Sequence, residues 1–234
     1  AYLRSLPDSL DIVTLANSEN ISTYDREDIP LLQEKSTKVL YRVDYASQAA
    51  ILSDAAKLGA FLDKAIATAT ELNLNGFAFT GMPLYSGTEA ELAARKEAAK
   101  LIVSRLSAAA SGDKLLVLDG DPAFVETSDI EKLDYIVLNT VDITNVTTLK
   151  LLVTGLLDNQ SLPKEKLLLA AKINNQIIDE TNVKQDAVTV MTERVVSLGP
   201  LGGLAIFATG DDYYQTKMHY AITRTAIQLM NPSN

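Results

Sequence analysis

The sequence contains no cysteine, which removes disulfides, thiolate nucleophiles and zinc-thiolate centres while leaving the redox compartment open. It contains no tryptophan and a single histidine. A His-centred metal site or a Ser-His-Asp triad would therefore depend on His219 alone, and that residue reads as an ordinary helical histidine near the end of the chain. Basic residues are scarce: 21 Lys and Arg face 30 Asp and Glu, for a formal net charge of -9 and a pI near 4.7. A phosphate backbone or an anionic membrane attracts clustered Lys and Arg, so neither nucleic acid nor a membrane surface is the expected partner. A neutral or small polar ligand is easier to accommodate. No apolar run reaches the roughly 18 residues that suggest a bilayer span, and Ala1 to Asp8 lacks the basic and apolar stretches of a signal peptide. Any export signal or lipid anchor is expected upstream. No Gly-rich phosphate loop follows any apolar run, and no cofactor is expected.

What is present is a repeating unit. In 234 residues with 47% hydrophobic content, short apolar runs bounded by turn residues alternate with longer helix-forming stretches, the pattern of β-α units around a parallel sheet. Seven runs qualify: Leu10 to Asn17, Thr37 to Tyr45, Gly76 to Met82, Leu115 to Asp121, Tyr135 to Thr140, Leu167 to Ile173 and Leu204 to Gly210. Most are nearly continuous in apolar residues, as strands buried on both faces are. Between them Ser53 to Asn73 and Thr88 to Ala109 are rich in Ala, Leu, Lys and Glu and read as helices, Thr88 with Glu91 forming a capping box. Asp186 to Leu198 reads as a helix stopped by Gly199-Pro200, and Tyr213 to Met230 as a closing helix. The expected fold is α/β, a TIM (β/α)8-type barrel forming one domain over residues 1–234. Seven strands leave one place unfilled, and the missing strand is expected before Ala1. A doubly wound open sheet is the competing architecture.

The run Leu74-Asn75-Gly76-Phe77-Ala78-Phe79-Thr80-Gly81-Met82 resembles the fourth-strand signature of glycoside hydrolase family 18, D-G-x-D-x-D-x-E. Thr37 to Leu40 resembles the family's third strand, Asp134 to Asn139 the sixth and Gly203 to Phe207 the eighth. The likeness covers nearly the whole chain in element order and lies nearest the endo-β-N-acetylglucosaminidase branch. It places Asn75 at the first Asp of the signature, Ala78 at the second, Thr80 at the third and Met82 at the catalytic Glu. In the family the Glu protonates the leaving glycosidic oxygen and the neighbouring Asp orients the substrate's N-acetyl group. A thioether delivers no proton and a threonine hydroxyl carries no charge, so the resemblance implies a barrel that has lost this route. Side chains two apart on a strand share a face, so Ala78, Thr80 and Met82 are expected to point into the barrel.

On a barrel, functional groups collect at the C-terminal ends of the strands. The candidate ligand-binding rim is Asp44, Tyr45, Tyr85, Asp119, Asn139 and Asp211, and Asp121, Lys172, Asn174, Tyr213 and Tyr214 lie at the same ends. Tyr can stack on a sugar face, and carboxylates and amides can hold sugar hydroxyls. Asp119-Gly120-Asp121 lacks the spaced oxygen ligands of a calcium loop, and no metal site is expected. Many family members place a Trp near the eighth strand, a position for which this chain offers Phe207 or Tyr213. The sequons at Asn20, Asn145 and Asn159 have meaning only in a glycosylating secretory pathway. The reading is a non-hydrolysing barrel that binds a glycan, with N-acetylglucosamine as one candidate component, outside the cell or at a bacterial surface, as a lipoprotein would. Two alternatives stand beside it: a hydrolase using other carboxylates, and a structural or protein-binding barrel.

Overall fold

The computed structural model describes residues 12–15, 18–44, 48, 50–80 and 87–207, together with the backbone of 213–218. In chain order its strands are β1 (Ile12–Leu15), β2 (Lys38–Val43), β3 (Gly76–Thr80), β4 (Leu115–Asp119), β5 (Tyr135–Val137), β6 (Leu167–Lys172), β7 (Gln176–Ile178), β8 (Lys184–Asp186), β9 (Gly203–Phe207) and β10 (Tyr213–Met218). The helices are α1 (Thr23–Glu34), α2 (Ala55–Glu71), α3 (Glu89–Ala109), α4 (Thr127–Ile130), α5 (Val146–Asp158) and α6 (Ala187–Ser197). Seven strands, one in each of the apolar runs, pair in parallel from β1 through β6 to β9. The eighth place is taken by β10, which is antiparallel to both β1 and β9 and closes the barrel. Strands β7 and β8 form a separate two-stranded hairpin.

The strand β10 corrects one expectation, because Tyr213 to Met218 was read from its sequence as the start of a closing helix. Tyr and Thr favour extended backbone, and β10 here satisfies the open edges of both β1 and β9, a tertiary gain that local propensity does not register. Residues 219–230, the rest of that expected helix, lie outside the described residues. The helices α2, α3 and α6 fall where they were expected. The capping box is present: Glu91 N donates to Thr88 Oγ1 at 3.2 Å and Thr88 N donates to Glu91 Oε2 at 2.9 Å.

Alternation along each strand sorts the side chains into two layers. Ile12, Leu40, Ala78, Val117, Val137, Leu168, Ala170 and Ala205 form a cluster inside the barrel. Their neighbours Val13, Val39, Phe77, Leu116, Ile136, Leu169 and Leu204 join the outer layer, packed with Leu58, Leu62, Ile102 and Leu106 of the helices. Full burial of such a side chain contributes about 1.5–3 kcal/mol, so a one-residue slip that exchanged the layers is strongly disfavoured.

Short strands are extended by side chains that stand in for backbone. Asn75 Oδ1 accepts from Val39 N at 2.8 Å and from Gln33 Nε2 at 2.9 Å, joining β2, β3 and α1. Asp134 Oδ2 accepts from Leu116 N at 2.8 Å. Thr140 Oγ1 both donates to Ala170 O and accepts from Ala170 N, each at 2.7 Å. Ser18 Oγ donates to Leu15 O at 2.8 Å and accepts from Arg42 N at 2.7 Å. At Gly76, φ is +134°, and a Cβ there would strike the backbone of Leu115. Only glycine fits that backbone at that distance.

Candidate functional site at the barrel mouth

The parallel strands all end on one face, and their last inward residues form its mouth. Continuing the alternation set by Leu40 and Ala78, β2 delivers Arg42 inward, with Asp44 just beyond, and β3 delivers Thr80. Likewise β4 delivers Asp119, β6 delivers Lys172, and β9 delivers Phe207, whose ring packs on the inner cluster. Thr80 is 6% exposed and its Oγ1 donates to Asp44 Oδ1 at 3.0 Å. On its other side Thr80 stands in register with Asp119. A row of Asp44, Thr80 and Asp119 thus crosses three adjacent strands, and two strand spacings put the outer two Cα atoms about 10 Å apart.

The positions matched to the fourth-strand signature divide. Ala78 is fully buried in the inner cluster and Thr80 faces the mouth. Asn75 sits at the opposite, N-terminal end of β3 and is engaged in the backbone stitch. Met82 lies outside the described residues, as do Tyr45, Tyr85, Asp211 and His219. Asn139 lies two residues beyond β5 and is exposed. Asp119 is half-buried, whereas Asp121 caps the short 3-10 helix Pro122–Phe124, accepting from Ala123 N at 2.9 Å. Asn174 follows β6 with φ at 68°.

No protein-family model matches the chain, nor does any curated protein sequence. Solved structures do share its architecture. An endo-beta-N-acetylglucosaminidase from Cordyceps militaris, in apo form, superposes with a TM-score of 0.63 at 17% identity, over 97% of this chain and 83% of its own. A GH18 chitinase from Pseudoalteromonas aurantia gives 0.60 at 14%, over 94% and 93%, and a chitinase-like agglutinin from Robinia pseudoacacia gives 0.60 at 14%, over 97% and 97%. The fold is that of glycoside hydrolase family 18.

Within this family 18 fold the barrel interior at the mouth also contains two polar groups outside the rim expected from the sequence. Arg42 lies one inward position below Asp44, in register with Ala78, and Thr14 of β1 is buried beside Leu40. The available signal for Arg42 was a charged residue inside Thr37 to Tyr45, a run otherwise composed to be buried on both faces. Thr14 gave no signal, because Thr is an ordinary strand residue.

Proposed function

We propose that this barrel holds a glycan at its mouth without cleaving it. The observation that carries the reading is the pair Ala78 and Thr80: the inward positions matched to two of the family's carboxylates hold a methyl group and a hydroxyl, and that hydroxyl is engaged by Asp44. Substrate-assisted hydrolysis needs an acid to protonate the leaving oxygen and a carboxylate to orient the acetamide. Met82, Thr80 and Ala78 supply neither. Rim groups of the kind found here, Asp44, Asp119 and exposed Asn139, suit sugar hydroxyls, with Tyr45, Tyr85 and Asp211 as further proposed members of the rim. The agglutinin among the similar structures supports a binding role on this fold, and one endo-beta-N-acetylglucosaminidase structure is a complex with fucosyl-N-acetylglucosamine-Asn. The proposed location is outside the cell or at a bacterial surface, through an upstream lipid anchor, which protease treatment of intact cells would test.

A specific observation also favours hydrolysis by other groups. Asp44 and Asp119 flank Thr80 at the mouth, and hydrolysis of a glycosidic bond is ordinarily carried out by a pair of carboxyl groups on either side of it. A glycan array followed by product analysis separates the readings. Retention without products is the expected result. Products that disappear in Asp44→Asn or Asp119→Asn would establish a hydrolase, and neither binding nor products would leave a structural or protein-binding barrel.

A further inference from the structure

Two polar groups inside the barrel make no hydrogen bond among the described residues: Thr14 Oγ1 and Arg42 Nε. They lie on adjacent strands, Thr14 being paired in register with Leu40, two residues before Arg42. Thr14 is 1% exposed, and Ile12, two residues earlier on the same strand, belongs to the inner cluster. Both unpartnered groups therefore point into the barrel. Buried donors are rarely left unsatisfied, and a guanidinium cannot escape by losing its proton. Lys172 enters from the opposite wall, level with Phe207. Among the described residues no carboxylate pairs with either cation, while Asp44 is already engaged by Thr80.

We infer that Arg42 and Thr14 form a carboxylate-holding subsite beneath the rim, and that the glycan held there carries a hexuronic acid. The inference rests on the glycan-binding reading above. The guanidinium presents Nε–H and an Nη–H side by side, the spacing of two carboxylate oxygens. The Thr14 hydroxyl adds a third donor, and Lys172 adds charge from across the mouth. A neutral sugar hydroxyl would satisfy one donor and leave the others without an acceptor. With a net charge of -9 the protein as a whole does not attract acidic sugars, so selection falls to these few side chains.

Isothermal titration calorimetry tests this with a panel of hexuronic-acid tetramers, each beside its carboxyl-reduced neutral counterpart, and with chitotetraose. The expected result is that at least one acidic tetramer binds about tenfold or more tightly than its reduced counterpart. Arg42→Met should abolish that preference. Thr14→Val removes a hydroxyl with no partner among the described residues, so it should leave the melting temperature unchanged while weakening the preference, and it serves if Arg42→Met fails to fold. Equal binding of acidic and reduced tetramers, or a preference that survives both substitutions, overturns the inference. Chitotetraose binding with no preference for any acidic tetramer over its reduced counterpart overturns it while preserving the glycan reading, and no binding of any glycan overturns both.

Discussion

The hydroxyl of Thr80 can make one donated hydrogen bond, and Asp44 takes it at 3.0 Å. Restoring an acid nearby therefore does not restore an orienting carboxylate. Met82→Glu alone is expected to leave chitooligosaccharides uncut, and chromatographic detection of products from the purified variant would contradict this. A second expectation concerns Tyr41, which faces the outer layer and meets Phe77 edge to face at 6.4 Å. Burial, with a smaller push from Glu19, raises its phenol from 10.0 to about 12. The unfolded chain loses that proton first, so the stabilising contribution is complete below pH 10 and is lost as pH rises through about 12. Tyr41→Phe should flatten the fall in unfolding free energy across that window, and denaturation curves with equal slopes for both proteins would refute the assignment. At this scale the sequence was legible wherever a residue's role followed from strand parity, as for Ala78 and Thr80. It was not legible at Arg42 and Thr14, because the lack of a hydrogen-bond partner for Arg42 Nε and Thr14 Oγ1 among the described residues follows only from what the fold places around them.

Elements show the same division. Apolar runs and Ala-rich stretches announced the seven parallel strands and the helices α2, α3 and α6, because buried strands and good helix formers differ in composition as well as in period. The hairpin of β7 and β8 carried no such signal: β8 is fully exposed, and its turn is organised by Asp179, which accepts from Thr181 Oγ1 at 2.7 Å, Val183 N at 3.0 Å and Gln185 Nε2 at 3.0 Å. The side-chain stitches were equally hidden. Asn75 was matched to a catalytic signature, yet its carbonyl oxygen serves the backbone of β2. Asn75→Ala should cost about 1–3 kcal/mol by orphaning the Val39 amide. Asn75→Asp should cost less, since Asp134 already makes the equivalent bond to Leu116 at 2.8 Å with a carboxylate. Urea denaturation of the two variants gives the comparison, and equal losses would mean that the acceptor is unimportant.

For the whole molecule, closure depends on a strand that runs against the other seven. Thr216 pairs with Ile12 on one side and Ala205 on the other, and proline there would remove a ladder donor in a strand with two partners. Thr216→Pro should lower the melting temperature and, by freeing the edges of β1 and β9, promote self-association visible in size-exclusion chromatography. An unchanged monomer with unchanged melting would show that β10 does not hold the barrel closed. Seven strands could be counted from the sequence. The eighth could not, because its direction is decided by the two edges it meets.

The reversed direction of β10 also sets the side of the barrel on which that strand ends. Strand β1 begins at Ile12 and β10 ends at Met218, and those two positions lie together, since Ile12 faces Thr216 and Met218 faces Gly203. Both belong to the side opposite the mouth. A barrel with eight parallel strands would instead leave its final strand on the mouth side. The base of the barrel therefore carries both of these strand ends, while Asp44, Thr80 and Asp119 lie at the face away from it.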